Sequence, residues 1–172
     1  MKNTKLITML CLGALIACSP SKKGLEPTSE QVSPRERLIE NLRATPQKGI
    51  MFGHHDDTVY GIGWEFDEGG SDVQKVCGDY PAVISFDLGE IELGGDKSLD
   101  KVPFEKIRKE IINQYNRGGL VSLSWHPRNP KTGGDAWDVS DHAVVKSILP
   151  EGENYEKFQS WLGKVLSLIH IS

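Results

Sequence analysis

Residues 82–92 read Ala82-Val83-Ile84-Ser85-Phe86-Asp87-Leu88-Gly89-Glu90-Ile91-Glu92. A run rich in β-branched and aromatic residues gives way to a carboxylate, a glycine and two glutamates, the pattern of a short buried strand entering a polar loop. The same switch occurs on either side in the chain. Upstream, Gly49-Ile50-Met51-Phe52-Gly53 leads into His54-His55-Asp56-Asp57; downstream, Leu120-Val121-Ser122-Leu123-Ser124-Trp125 leads into His126, Arg128 and Asn129. Helical spacing lies between these runs. A short helix is expected from about Ser71 to Val76, followed by one with Phe104, Ile107, Ile111 and Tyr115 at the 3.6-residue period, stopped by Gly118-Gly119. A last helix carries Tyr155, Phe158, Trp161, Leu162, Val165 and Leu166 on one face.

Strand, loop and helix, three times over, is βαβ logic and predicts an α/β fold with parallel strands. Sites in such sheets form beyond the carboxyl ends of the strands. The histidines and carboxylates fall at those ends, whereas Lys48, Pro81 and Gly119 occupy the opposite ones. Three βα units cannot close a barrel, which takes eight strands and about 250 residues. As an open sheet they would leave the third strand as an apolar edge. The expectation is therefore an incomplete (β/α)8 TIM barrel of about the first three βα units, with residues 33–172 as its truncated N-terminal part.

The start of the chain reads differently. Lys2 and Lys5 precede an apolar run from Leu6 to Ala17, too short to span a bilayer but suited to a signal-peptide core. Leu15-Ile16-Ala17-Cys18 looks like a bacterial lipoprotein box. Residues 1–17 are expected to be a lipoprotein signal peptide, Cys18 the lipidated residue and residues 18–32 a flexible tether. That places the protein on the bacterial cell envelope through a membrane anchor. Ser33-Pro34-Arg35-Glu36 then reads as a capping box opening a helix. With Cys11 in the signal and Cys18 acylated, Cys77 stands alone, and its place on a helix face predicts a small buried hydrophobe. The net charge of -4 and pI near 5.7 leave no basic stripe for phosphates, so no nucleic-acid partner is expected.

The ordered set of motifs resembles glycoside hydrolase family 26, the family of many β-mannanases. It comprises Gly53-His54-His55-Asp56-Asp57 with Tyr60-Gly61 and Trp64, then Ser71-Asp72-Val73 and Gly78-Asp79-Tyr80-Pro81-Ala82. Phe86-Asp87-Leu88-Gly89 with Glu92, Ser124-Trp125-His126, Asn129-Pro130 and Thr132-Gly133-Gly134 complete it. The resemblance runs from about Pro34 to Val165. It implies a (β/α)8 barrel that hydrolyses internal β-1,4-mannosidic bonds with retention, needs no cofactor and takes β-mannan or a related polysaccharide as partner. Retention uses two carboxyl groups about 5–5.5 Å apart. The resemblance places the proton donor after strand four, in an Arg-x-x-His-Glu type of segment, and the nucleophile after strand seven. Neither segment is found here, so no catalytic residue is assigned.

What remains are substrate contacts. His126, at the end of the third strand, is expected to hydrogen-bond a sugar hydroxyl, unless it holds a loop. Trp137 is expected to offer an aromatic face to a pyranose ring, unless it packs a lid; Trp64 is a weaker candidate of the same kind. Asp87 and Glu92 would accept from sugar hydroxyls, although Asp87 could equally orient a neighbouring histidine or arginine. In the resemblance His54 lines the cleft while Asp56 and Asp57 shape its loop. Trp125 is expected to turn towards the helices, and Trp161 to lie in the core. A rival reading sets His54, His55, Asp56, Asp57, Asp87 and His126 around a divalent ion for hydrolysis, but adjacent histidines on a strand end point to opposite sides, which disfavours a metal. A second rival is a surface lipoprotein that only binds glycans.

Overall fold

The computed structural model of the protein describes residues 32–170. The expected signal peptide, Cys18 and all but the last residue of the expected tether lie outside the described residues. The chain divides into two compact units, one ending at Arg43 and one beginning at Ala44. Helix α1, Pro34–Lys48, spans the division. It opens on the capping box: the Ser33 N–H donates to Glu36 Oε2 at 2.9 Å and the Glu36 N–H to Ser33 Oγ at 3.2 Å.

The second unit is built on a parallel sheet. Strands β1, Gly53–His55, and β4, Val83–Asp87, and β5, Leu120–Ser124, lie in the order β1-β4-β5. A small antiparallel hairpin of β2, Tyr60–Gly61, and β3, Trp64–Glu65, follows β1. Helix α2, Asp72–Cys77, leads into β4, and a 3-10 turn at Ile91–Leu93 follows it. Helix α3, Phe104–Asn116, precedes β5; α4, Val144–Ser147, and α5, Tyr155–Ile169, come after. Each connection between the parallel strands thus carries a helix, as parallel pairing requires.

Alternation along β4 decides what faces what. Ile84 and Phe86 are fully buried and pack with Leu88, Ile91, Phe104, Ile107 and Ile111. Val121, Leu123 and Trp125 of the neighbouring strand pack on the same cluster, together with Val165 and Leu168 of α5. Trp125 stacks on Phe158 at 5.7 Å between ring centroids, and Trp161 is buried. Ser85, Asp87, Ser122 and Ser124 take the other face, as a period of two demands.

At the amino ends of the strands, Gln114 of α3 is buried and its Nε2 donates to the Pro81 carbonyl at 3.0 Å, with those of Ala82 and Leu120 close by. A Cβ on Gly119 would strike this amide, so the glycine there admits the plug. Earlier along the same face of α3, the nearly buried Lys106 donates to Glu110 Oε1 and to the Asp67 carbonyl, each at 3.1 Å. These bonds tie α3 to the loop after the hairpin.

Several expectations need correction. The first strand is not the apolar run 49–53. Pairing begins at Gly53, opposite Val83, while Ile50 is fully exposed and Phe52 is 60% exposed. A strand exists where a neighbour's ladder runs alongside it, and the register with β4 begins at Gly53; before that, the Val83 N–H reaches back only to the Phe52 carbonyl at 3.2 Å. Cys77 is exposed, because it ends α2 away from the core. Tyr115 is 75% exposed: in the last turn of α3 the inward position is taken by Gln114. Leu166 is also exposed. Among the described residues no helix is long and apolar enough to cross a membrane.

Candidate carbohydrate site

The carboxyl ends of β1, β4 and β5 share one rim because the strands are parallel. Register pairs Asp87 with Ser124, and His126 follows two residues later on the same face. Asp87 is buried at 2% exposure and fully engaged. Its Oδ1 accepts the Gly89 N–H at 2.6 Å; its Oδ2 accepts the Ser124 hydroxyl at 2.8 Å and lies 2.5 Å from His126 Nδ1. His126 is half exposed. Trp137, 68% exposed, lies nearly parallel to the His126 ring, with centroids 5.5 Å apart and planes at 11°. That is offset stacking.

The loop that carries Trp137 is held from within. Buried Asn129 accepts the N–H groups of Lys131 and Thr132 at 3.0 and 3.2 Å and donates to the Asp138 carbonyl at 3.1 Å. The Thr132 hydroxyl bonds the Asp138 carboxylate, and the Trp137 N–H donates to Asp135 Oδ1 at 2.9 Å. A fixed loop with an exposed indole beside a histidine is what a sugar-stacking platform needs: an apolar ring face with a polar group at its margin.

The other expected contacts fall elsewhere. Glu92 is buried and both oxygens are taken, Oε2 by Trp125 Nε1 at 2.9 Å and Oε1 by the Arg128 N–H at 2.7 Å. It fastens the end of β5, and Lys164 of α5 donates to its carbonyl at 2.6 Å. Beside it, Glu90 pairs with Arg128 at 2.5 Å. Trp64 is half-buried. Its Nε1 donates to Asp72 Oδ1 at 2.7 Å, Lys75 lies 4.9 Å from a ring centroid, and a Cβ on Gly70 would collide with the indole. The residue clasps the hairpin to α2, with the Ile62 N–H on the other Asp72 oxygen at 2.6 Å.

His54 is exposed, its Nδ1 2.8 Å from the His55 carbonyl. Register sets His54 opposite Ile84 and His55 opposite Ser85, so His55 is the histidine that shares a face with Asp87. Sequence reasoning took the first of the pair; only the point where pairing starts distinguishes them.

The acids after β1 are loop supports. Asp57 is buried, bonded to the Ser71 hydroxyl and, at 3.2 Å, to the Val73 N–H. Ser71 in turn caps α2 by accepting the Gln74 N–H at 2.9 Å. Asp56, with φ of 54°, is buried and accepts the Tyr60 hydroxyl at 3.2 Å; His55 Nε2 lies 3.2 Å from the same oxygen. Its Oδ1 and the Thr58 hydroxyl have no partner. Burial pushes the Asp56 carboxyl up, against the pull of His55 and Tyr60. Burial and the Asp56 carboxylate push the Tyr60 phenol up to about 12. Among the described residues no three His, Cys, Asp or Glu side chains converge as metal ligands would.

Comparison with known proteins adds to this geometry. The family model for glycosyl hydrolase family 26 matches residues 27–169. A mannan endo-1,4-β-mannosidase of Bifidobacterium adolescentis is 30% identical over 132 residues, which are 74% of this chain and 13% of that protein. A solved β-mannanase of the same family from Bacteroides ovatus is 61% identical, with a TM-score of 0.74 over 76% of this chain and 38% of its own. An endo-β-1,4-mannanase double mutant from Cellulomonas fimi is 29% identical, with a TM-score of 0.59 over 70% of this chain and 28% of its own. The chain therefore spans less than two-fifths of each of these relatives.

Proposed function

The chain belongs to glycosyl hydrolase family 26, and on that premise we propose that it forms the first three βα units of a (β/α)8 barrel in an endo-acting β-1,4-mannan hydrolase. The observation that carries the reading is the His126–Trp137 platform, set beyond the carboxyl ends of parallel strands where such folds place their sites. Trp137 takes the apolar face of a mannosyl ring, and His126 meets a hydroxyl at its edge. The identity to a solved β-mannanase supports this substrate. The retaining pair of carboxyl groups is assigned to no residue of this chain. On the same reading Cys18 carries a lipid, residues 18–32 tether the enzyme to the cell envelope, and mannan is met there; the apolar run from Leu6 to Ala17 with the following cysteine supports it.

Titration with mannohexaose tests the platform. Trp137→Ala and His126→Ala are each expected to weaken binding about tenfold, the worth of one stacking or hydrogen-bonding contact. Lys109→Ala, which breaks only the exposed pair with Glu68, is expected to leave it unchanged. Wild-type affinity in Trp137→Ala would remove the platform from the site. The engaged state of the rim carboxylates favours a second reading for the chain by itself, glycan binding without hydrolysis.

A further inference from the structure

We infer that Asp87 is a positioning residue: it fixes the tautomer of His126 so that the ring presents a bare Nε2, a hydrogen-bond acceptor, to the cleft. The identity of the sugar rests on the mannan reading; the tautomer does not. An ionised carboxylate has only acceptors. Asp87 Oδ2, 2.5 Å from His126 Nδ1, therefore requires the proton on Nδ1, a short charge-assisted bond. The neutral ring then keeps its lone pair on Nε2. Histidine free in water prefers the opposite tautomer, so the carboxylate reverses the default.

The carboxylate itself cannot turn away. It is 2% exposed, and the Gly89 N–H at 2.6 Å and the Ser124 hydroxyl at 2.8 Å lock its plane. Asp87 thus fixes the imidazole in its plane while the stacked Trp137 fixes it from the face. A polyol hydroxyl arriving at this edge meets an acceptor already aimed.

The isosteric variant Asp87→Asn makes the inference sharp. The Gly89 N–H still demands an oxygen, so the amide oxygen stays at the Oδ1 position and the NH2 group takes the Oδ2 position. It then donates to Ser124 Oγ and His126 Nδ1, which forces the His126 proton onto Nε2. Shape is kept and the acceptor at the cleft becomes a donor.

The test uses the full chain labelled with 15N-histidine, at a pH above the ordinary imidazole range. The chain has five histidines, so His126→Gln identifies the signals. Two-bond proton–nitrogen correlations are expected to show Nδ1–H in the wild type and Nε2–H in Asp87→Asn, with the backbone amide fingerprint unchanged. Mannohexaose binding is expected to fall roughly tenfold in the variant. Nε2–H or an averaged ring in the wild type, or an unchanged tautomer in Asp87→Asn, would overturn the inference. Should the variant not fold, the wild-type tautomer alone decides. A tautomer pattern as expected, with no mannohexaose binding by either protein, sustains the positioning role and sinks the mannan reading instead.

Discussion

Asp56 shows how far one residue can be pushed by its surroundings. Its side chain is buried, one oxygen has no partner, and its backbone sits in the left-handed region that Asp and Asn tolerate better than most residues. Desolvation raises its pKa above the ordinary value of 3.8. The folded state therefore holds the proton in a pH range where the unfolded chain has lost it, and stability falls as pH rises through that range. Asp56→Asn keeps a neutral side chain at every pH, an acceptor for the Tyr60 hydroxyl and the backbone preference. It is expected to raise the melting temperature at pH 7, with the gain shrinking to nothing as pH falls below the ordinary carboxylate value. A melting temperature lowered at pH 7 but unchanged at pH 3 would show that the ionised form is the one the fold needs. Both acids after β1 could be read from sequence as loop-shaping; that one of them is desolvated could not, because burial of a loop carboxylate depends on what later segments fold over it.

Among the elements, α3 is where the sequence was most and least legible. Phe104, Ile107 and Ile111 are spaced as a helix face and lie in the core. The same rule put Tyr115 inside, and it is exposed. Periodicity assumes that a helix buries one kind of residue along its length, but the last turn of α3 meets strand ends rather than side chains. Carbonyl groups there need a donor, and Gln114 supplies it. Gln114→Leu keeps much of the volume and leaves the Pro81 carbonyl without a protein donor, at a cost of about 1–3 kcal/mol. Urea denaturation should show the midpoint lowered with the slope unchanged; a loss below about 0.5 kcal/mol would mean that water reaches the strand ends and the plug is idle. β1 failed for a related reason. Ile50 to Phe52 has the composition of a strand, and composition does not reveal where a partner begins.

For the whole molecule, parallel strands with helical connections could be inferred from three repeats of one pattern, and the polar rim followed from strand direction. What the pattern could not give is how that rim divides its labour. Asp87 and Glu92 read as candidate sugar contacts and Asp57 as a loop acid; these three, and Glu90 beside them on the rim, are each bonded to a named neighbour. Asp56 has a free oxygen but is 2% exposed, beyond reach of a substrate. Retaining hydrolysis needs two accessible carboxyl groups about 5–5.5 Å apart, one ionised to attack and one protonated to donate. No pair among these rim carboxylates meets both conditions. The chain of 172 residues is therefore expected to bind mannohexaose through the His126–Trp137 platform and to leave it intact. Prolonged incubation followed by reducing-end analysis should show no shorter products. Hydrolysis above the rate without protein, lost on replacing any one of the five rim acids by its amide, would make that residue catalytic and break the division between supports and platform argued from their bonds.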